Sequence, residues 1–284
     1  MEGKRKKIIV LAIGLLLLFL AGNFYFKNLT TRHYDSVTFF DVGQGDSALI
    51  KFDNGQKMLV DCGANRKILS KLGSALPFFD RTIDYLLVTH PDSDHYGGCP
   101  AVLQRYQVKN IITNGTQKSN DPYWLAWEKY QQLEGANNKI ISGKETMLIG
   151  NSSLEFLAPD ESFGLDLNKF GSNNHSIVFL LKNNLGKFLF TGDMEAPLEN
   201  ALMNKFCLNS SYCPALKADY LKVGHHGSDS SSGVDFLHLV EPKYAIVSVG
   251  PNKYGHPSLR TLRRLNRASA TIWRTDQLND IIVK

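Results

Sequence analysis

"LLVTHPDSDHYGG", residues 86–98, sets an apolar run directly before His90, Asp92, Asp94 and His95, four side chains within six positions that can each bind a metal or a proton, and closes on two glycines. An extended chain through His90 and Asp92 points both side chains the same way, because strand side chains alternate. Asp94 and His95 face elsewhere as the chain turns towards the helix expected after Gly97 and Gly98. The spacing therefore supplies two pairs of ligands aimed at two points.

Further from this stretch, similar tips recur. "KFLFTGD" ends a strand on Asp193, "DYLKVGHHGS" ends one on His225 and His226, "NNHS" begins one on His175, and "YGHPS" sets His256 ahead of a helix. An open α/β architecture displays its site at the carboxyl ends of strands, which is where these residues fall. His33 and His238 have no such company and read as surface residues. Asp193 alone would read as a helix cap; beside the other strand ends it reads as a ligand.

The runs "VTFFDV", "SALIKF", "KMLVDCG", "IDYLLVTH", "KNIITNG", "SIVFLL", "KFLFTGD", "DYLKVGHH", "YAIVSVG" and "DIIVK" are read as strands. Several are apolar throughout, as expected where both faces of a sheet are covered. Helical patterns are expected near 66–76, 97–106, 122–135, 195–205, 233–240 and 257–267. The first four strands come without long helices between them and the later ones with them, which predicts two sheets with helices outside. Residues 151–174 read as one long irregular connection. In "YWLAWEKY", Trp124 and Trp127 read as the buried face of an amphipathic helix, with base stacking as the alternative.

Of the formal charge of +5, residues 1–35 carry +4, six Lys/Arg against two acids, so the remainder is nearly neutral. Residues 251–284 nevertheless hold seven Lys/Arg and two acids. The amino terminus has four cations among its first seven residues and then an apolar run, Ile8 to Phe26, of 19 residues. About 20 such residues span a bilayer, and the cations in front place the amino terminus in the cytoplasm. "FLAGN" lacks a small residue at Phe19 and fits signal cleavage poorly. The expected organisation is a transmembrane anchor or uncleaved signal over 1–27, a linker over 28–35 and a hydrolase domain over 36–284 held outside the cytoplasm, at the cell surface or in the periplasm. Cys207 and Cys213 enclose only "LNSSY" and suit a local disulfide, with Cys62 and Cys99 left as a second pair. The alternative is four free thiols.

Together "FFDVGQGDSALI", "MLVDCG", "VTHPDSDHYGG", "FLFTGD", "LKVGHHGS" and "SVGPNKYGHPS" resemble the metallo-β-lactamase superfamily, and within it the hydrolase domain of the DNA-uptake channel protein ComEC and its stand-alone relatives. The signature His-x-His-x-Asp-His appears here with Asp92 in place of the second histidine, an oxygen donor that makes the site harder and more tolerant of Mn²⁺ beside Zn²⁺. The resemblance runs from about Val37 to the carboxyl terminus and lacks the channel segments of full-length ComEC. It implies a four-layer αββα sandwich and two divalent metal ions, Zn²⁺ or Mn²⁺. His90, Asp92 and His175 would hold one ion, Asp94, His95 and His225 the other, and Asp193 would bridge them. It further implies a water activated between the ions, with Asp94 part of the catalytic centre and His226 or His256 donating a proton to the leaving group.

Phosphodiester cleavage suits such a centre. The "GQGD" turn (Gly43, Gln44, Gly45, Asp46) and Ser228 are candidates to approach a phosphate, with Asp46 alternatively orienting a ligand. Arg260, Arg263, Arg264 and Arg267, three and four residues apart on one helix, could bear a nucleic-acid strand, or form a solvated face. The expected substrate is a phosphodiester polymer, single-stranded DNA or a teichoic acid, with a DNA-uptake channel as an expected partner. The alternatives are a metallohydrolase of a non-phosphate ester, thioester or lactam, and a non-catalytic binding module that keeps metal for folding.

Overall fold

The computed structural model describes residues 2–30, 33–118, 121–207 and 212–284. It falls into two units, Met1–His33 and Tyr34–Lys284. In the first, Glu2–Thr30 form one helix. Residues 31–32 of the expected linker lie outside the described residues. Among the described residues no helix is long and apolar enough to cross a membrane. The transmembrane helix expected over 1–27 therefore gains no support here.

The second unit contains two seven-stranded sheets. The first runs β1 (Ser36–Phe39), β2 (Ala48–Lys51), β3 (Lys57–Val60), β4 (Thr82–Leu87), β5 (Gln107–Thr113) and β6 (Asn137–Ile140). The second holds β7 (Glu145–Ile149), β8 (Ser152–Ala158), β9 (Val178–Asn183), β10 (Gly186–Phe190), β11 (Tyr220–Lys222), β12 (Tyr244–Val247) and β13 (Thr271–Arg274), and the last strand, β14 (Ile281–Val283), returns to pair with β1. β1 to β3 are antiparallel, and β3 to β6 are parallel. In the second sheet β7 to β10 are antiparallel and β10 to β13 parallel.

Three separate cores show why the strands are apolar on both faces. Ile50, Met58, Leu87 and Ile112 meet Phe156, Phe179 and Phe190 between the sheets, with Phe179 and Phe190 stacked at 4.7 Å. Their strand neighbours Leu49, Leu59, Leu86 and Ile111 point the other way, onto Ile68, Leu72, Val102 and Trp127 of the helices outside the first sheet. Leu180, Leu189 and Leu221 pack against Leu198, Leu202, Phe236 and Leu265 of the helices outside the second. The layers are helix, sheet, sheet, helix. Trp124 and Trp127 are buried in the helix Pro122–Glu134, as the amphipathic reading expects, and are not free to stack on bases.

Four strands escape the sequence reading. β6, β7 and β13 lie at sheet edges, where short, polar strands are the rule; in β6 ("NNKI") no residue is fully buried. β8 lies inside the stretch read as irregular, and only the connection after Ala158 is loop and short helix. Both cysteine pairs are joined, Cys62 to Cys99 and Cys207 to Cys213.

Candidate metal centre

The centre lies where the carboxyl ends of β4, β10 and β11 meet. Just beyond β4, His90 and His95 are fully buried, while Asp92 and Asp94 are partly open. The Asp94 loop is seated on the "GQGD" turn: Asp46 N–H donates to the Asp94 carbonyl at 3.2 Å. A Cβ on Gly45, whose φ is +132°, would sit 2.3 Å from that carbonyl, so only glycine permits the approach. Beyond β10, Gly192 delivers Asp193, whose N–H donates to Ser176 Oγ at 3.0 Å.

His225 and His226 follow β11 with φ of 46° and 53°, left-handed conformations that cost on the order of 1–3 kcal/mol each for residues other than glycine. They send the two rings different ways. His226 is buried and its Nδ1–H donates to the Ser248 carbonyl at 2.9 Å; its Nε2 lies 3.1 Å from Asp94 Oδ2 and 3.4 Å from Asp193 Oδ2. His225 lies partly open in the cleft wall, with Nδ1 3.0 Å from Glu195 Oε1 and Nε2 3.9 Å from Asp193 Oδ2.

The remaining nitrogens are fixed by the same kind of contact. Thr89 Oγ1 donates its one proton to Asp61 Oδ2 at 2.8 Å, so His90 Nδ1–H, 3.0 Å away, must donate to Thr89 Oγ1. His95 Nδ1–H donates to Asp61 Oδ2 at 2.8 Å. His90, His95 and His226 thus all keep Nε2 for the centre, the arrangement outer partners impose on metal-bound imidazoles. Asp193 lies between them, 3.2 Å from His95 Nε2 and 4.0 Å from His90 Nε2. Asp92 Oδ2 is 3.6 Å from His90 Nε2, while its Oδ1 accepts from Lys118 and Ser172.

Three of these buried atoms, His90 Nε2, His95 Nε2 and Asp193 Oδ1, have no hydrogen-bond partner among the described residues, the last two facing each other only as an ion pair at 3.2 Å, although buried polar atoms seldom go unpaired. Donor atoms of Asp94, His95, Asp193 and His226 all fall within 4.8 Å of one another. Nitrogen and carboxylate oxygen donors, converging with lone pairs free, fit divalent ions. His90 and Asp92 would hold one ion, and Asp94, His95 and His226 the other, with Asp193 shared.

The charges agree. Burial pushes the Asp193 carboxyl up, but His226 and His95 outweigh it and hold it well below the usual range. Burial likewise lowers His226, yet Asp193 and Asp46 lift it to about 10, and Asp193 and Asp61 raise His95 in the same way. Without metal, protons occupy Nε2 of His95 and His226, so metal and proton compete for these two positions.

Several expected roles are corrected by the geometry. His175 is not brought to the centre: its Nε2–H donates to the Leu165 carbonyl at 3.0 Å and it lines a different cavity. His226, expected to donate a proton, sits among the ligands, and His225, expected there, is turned towards Glu195. Asp46 is buried beneath His226, 3.2 Å from its Nδ1 and 2.6 Å from Lys222 Nζ, and is closed to substrate. Its carboxyl is pushed up by burial and drawn down further by Lys222 and His226, to about 2. Gly43 N–H is spent on Asp41 Oδ1 and Gly45 packs on Asp94; of that turn, Gln44 lines the cleft. Ser228 is buried and bonds Ser230. Arg264 caps the carbonyls of Asp229 and Ser231, and Arg260 pairs with Asp229. Arg263 and Arg267 are exposed, and none of these four arginines lines the cleft.

The sequence reading gave no role to Asp61, Lys222 or Glu195. Lys222, a buried cation inside the apolar "YLKV", was the legible anomaly. Above the centre opens a cleft of about 720 Å³, walled by His225, Asn252, Lys253, Tyr254 and His256.

The family description "Metallo-beta-lactamase superfamily" matches residues 40–250. The chain belongs to that superfamily. Within it, the chain is 30% identical over 259 residues to ComE operon protein 3 of Bacillus subtilis, covering 85% of this chain and 32% of that protein. It is 31% identical over 246 residues to Competence protein ComA of Neisseria gonorrhoeae, covering 85% and 31%. The chain therefore spans about a third of the length of these superfamily relatives. Among solved structures, the CmlA beta-hydroxylase of Streptomyces venezuelae aligns with a TM-score of 0.54 at 15% identity, over 89% of this chain and 55% of that one, a likeness of fold alone.

Proposed function

We propose that this superfamily member is a metal-dependent phosphodiesterase acting on nucleic acid. The observation that carries the reading is the set of partnerless buried atoms His90 Nε2, His95 Nε2 and Asp193 Oδ1 at the floor of an open cleft. Two divalent ions, Zn²⁺ or Mn²⁺, would supply there, when bound, activation of water and charge stabilisation for an in-line displacement. Asp94, Asp193 and the three Nε2 atoms position the ions. His256, half-buried in the cleft wall, is the candidate to give a proton to the leaving group. Its imidazole is lowered by burial and by His225 and His226, so a donor role there would be strongest in mildly acidic solution, where the ring carries its proton. The competence naming of its relatives favours DNA over another phosphodiester polymer.

The reading includes a location. The apolar run Ile8–Phe26 would tether the chain to the membrane with the hydrolase unit outside the cytoplasm, where two disulfides persist. A DNA-uptake channel is then the natural partner. Incubation of the full chain with single-stranded DNA, bis-p-nitrophenyl phosphate and a β-lactam, each with Mn²⁺, Zn²⁺ or chelator, tests the activity. Metal-dependent cleavage of the first two is expected; turnover of the lactam alone would overturn the reading. Recovery of the chain in the soluble fraction of lysed cells would overturn the tether.

A further inference from the structure

The cleft wall contains a segment built more rigidly than the fold requires. Between β12 and the helix Leu259–Arg267, the Asn252 side chain makes four hydrogen bonds. Its Nδ2 donates to the carbonyls of Gly250 and His256 at 2.9 and 2.8 Å, and its Oδ1 accepts from the N–H groups of Tyr254 and His256 at 3.0 and 3.1 Å. Both ends of the loop are fixed to the site. A Cβ on Gly250 would lie 2.5 Å from the Gly43 backbone, and Ser258 N–H donates to the Gly227 carbonyl at 2.8 Å, beside the His225–His226 turn.

What this loop presents is not used by the core. Tyr254 is 65% exposed. One face of its ring rests on His256, with centroids 5.8 Å apart and planes 23° from parallel, and Lys253 Nζ lies 5.7 Å from the ring centroid. His256 in turn is 5.3 Å from His225, so a line of rings leads from solvent to the centre. Among the described residues neither the Tyr254 hydroxyl nor the Lys253 ammonium has a hydrogen-bonding partner. Holding a large ring in water on a preorganised loop lowers the ordering cost of a partner that lies flat on it. An aromatic face beside a cation is the combination that binds a nucleobase and its phosphate.

We propose that Tyr254, backed by His256 and flanked by Lys253, is a stacking platform for the nucleobase next to the phosphodiester held at the centre. The inference rests on the phosphodiesterase reading and narrows it. A base inside a duplex has both faces already covered, so the platform selects an unpaired strand.

The test is anisotropy binding of labelled single-stranded phosphorothioate DNA, which resists cleavage, to the metal-loaded full chain, comparing a strand with all its bases to the same strand made abasic. Wild type is expected to bind the base-bearing strand about tenfold more tightly. Tyr254→Ala should abolish that preference at an unchanged thermal midpoint, and Tyr254→Trp should keep it. Equal binding of the two strands by wild type, binding of neither, or a preference that survives Tyr254→Ala overturns the platform. Hydrolysis of bis-p-nitrophenyl phosphate is measured alongside. Turnover without base preference removes the platform and leaves the phosphodiesterase; base preference without turnover does the reverse.

Discussion

The two sides of the metal centre are built by opposite means. On one side, a single stretch after β4 supplies His90, Asp92, Asp94 and His95, and one shared set of partners holds it: Asp61, just beyond the neighbouring β3, and Thr89 orient both rings, and the Cys62–Cys99 disulfide closes the chain around it. On the other, Asp193 and His226 arrive singly from β10 and β11, and each has partners of its own, Ser176 for the first, and Ser248 with the buried Asp46–Lys222 pair for the second. Ligands clustered in one loop share a single set of partners, whereas a lone ligand needs a set of its own.

The largest effect belongs to the residue common to both sides. Asp193→Ala should strip both ions, lowering metal affinity by more than the roughly 100-fold that loss of an outer partner costs. Metal analysis per chain checks this, and loss of one ion alone would break the shared assignment. The disulfides come next. Cys62–Cys99 spans a separation of 37 residues and Cys207–Cys213 one of 6. By chain entropy their removal should cost about 4 and about 2 kcal/mol respectively, read from urea unfolding, and the reverse order would show that the first side does not depend on its clamp.

The adjacent histidines sharpen the comparison further. His226→Ala should lose about 100-fold in metal affinity, whereas His225→Ala and His175→Ala should leave metal content unchanged. Titration of each variant with Zn²⁺ decides, and metal loss in His225→Ala would return that residue to the ligand set. Smallest is Asp61→Asn, which leaves the ligands in place but weakens their orientation. A loss nearer 10-fold in affinity is expected there, and no change would mean that Thr89 alone holds His90 and His95.

The first side was legible in the sequence and the second only partly so, for a physical reason. His90 to His95 announce themselves because four donors crowd one strand end. At "GHHG" the two histidines are equivalent on paper, and the choice between them is made by left-handed backbone angles and by the Ser248 carbonyl, 22 residues further on. His175 stands just ahead of β9, as a ligand would, but its ring is taken by Leu165. For the fold, central strands such as "YLLV" were plain because both faces are buried. Edge strands such as "NNKI" were not, since one covered flank leaves little apolar signal.

Among the described residues, five carboxylates, Asp46, Asp61, Asp92, Asp94 and Asp193, stand within contact of the ligand histidines, and two ammonium groups, Lys118 and Lys222, answer them. That balance is three units negative before the imidazoles are counted; without metal, protons on His95 and His226 bring it to about one unit negative, and two dications in their place would carry it to a slight positive surplus. Filling the basin would thus reverse its sign and make it more attractive to a polyanion, so that admission to the cleft would follow the metal supply.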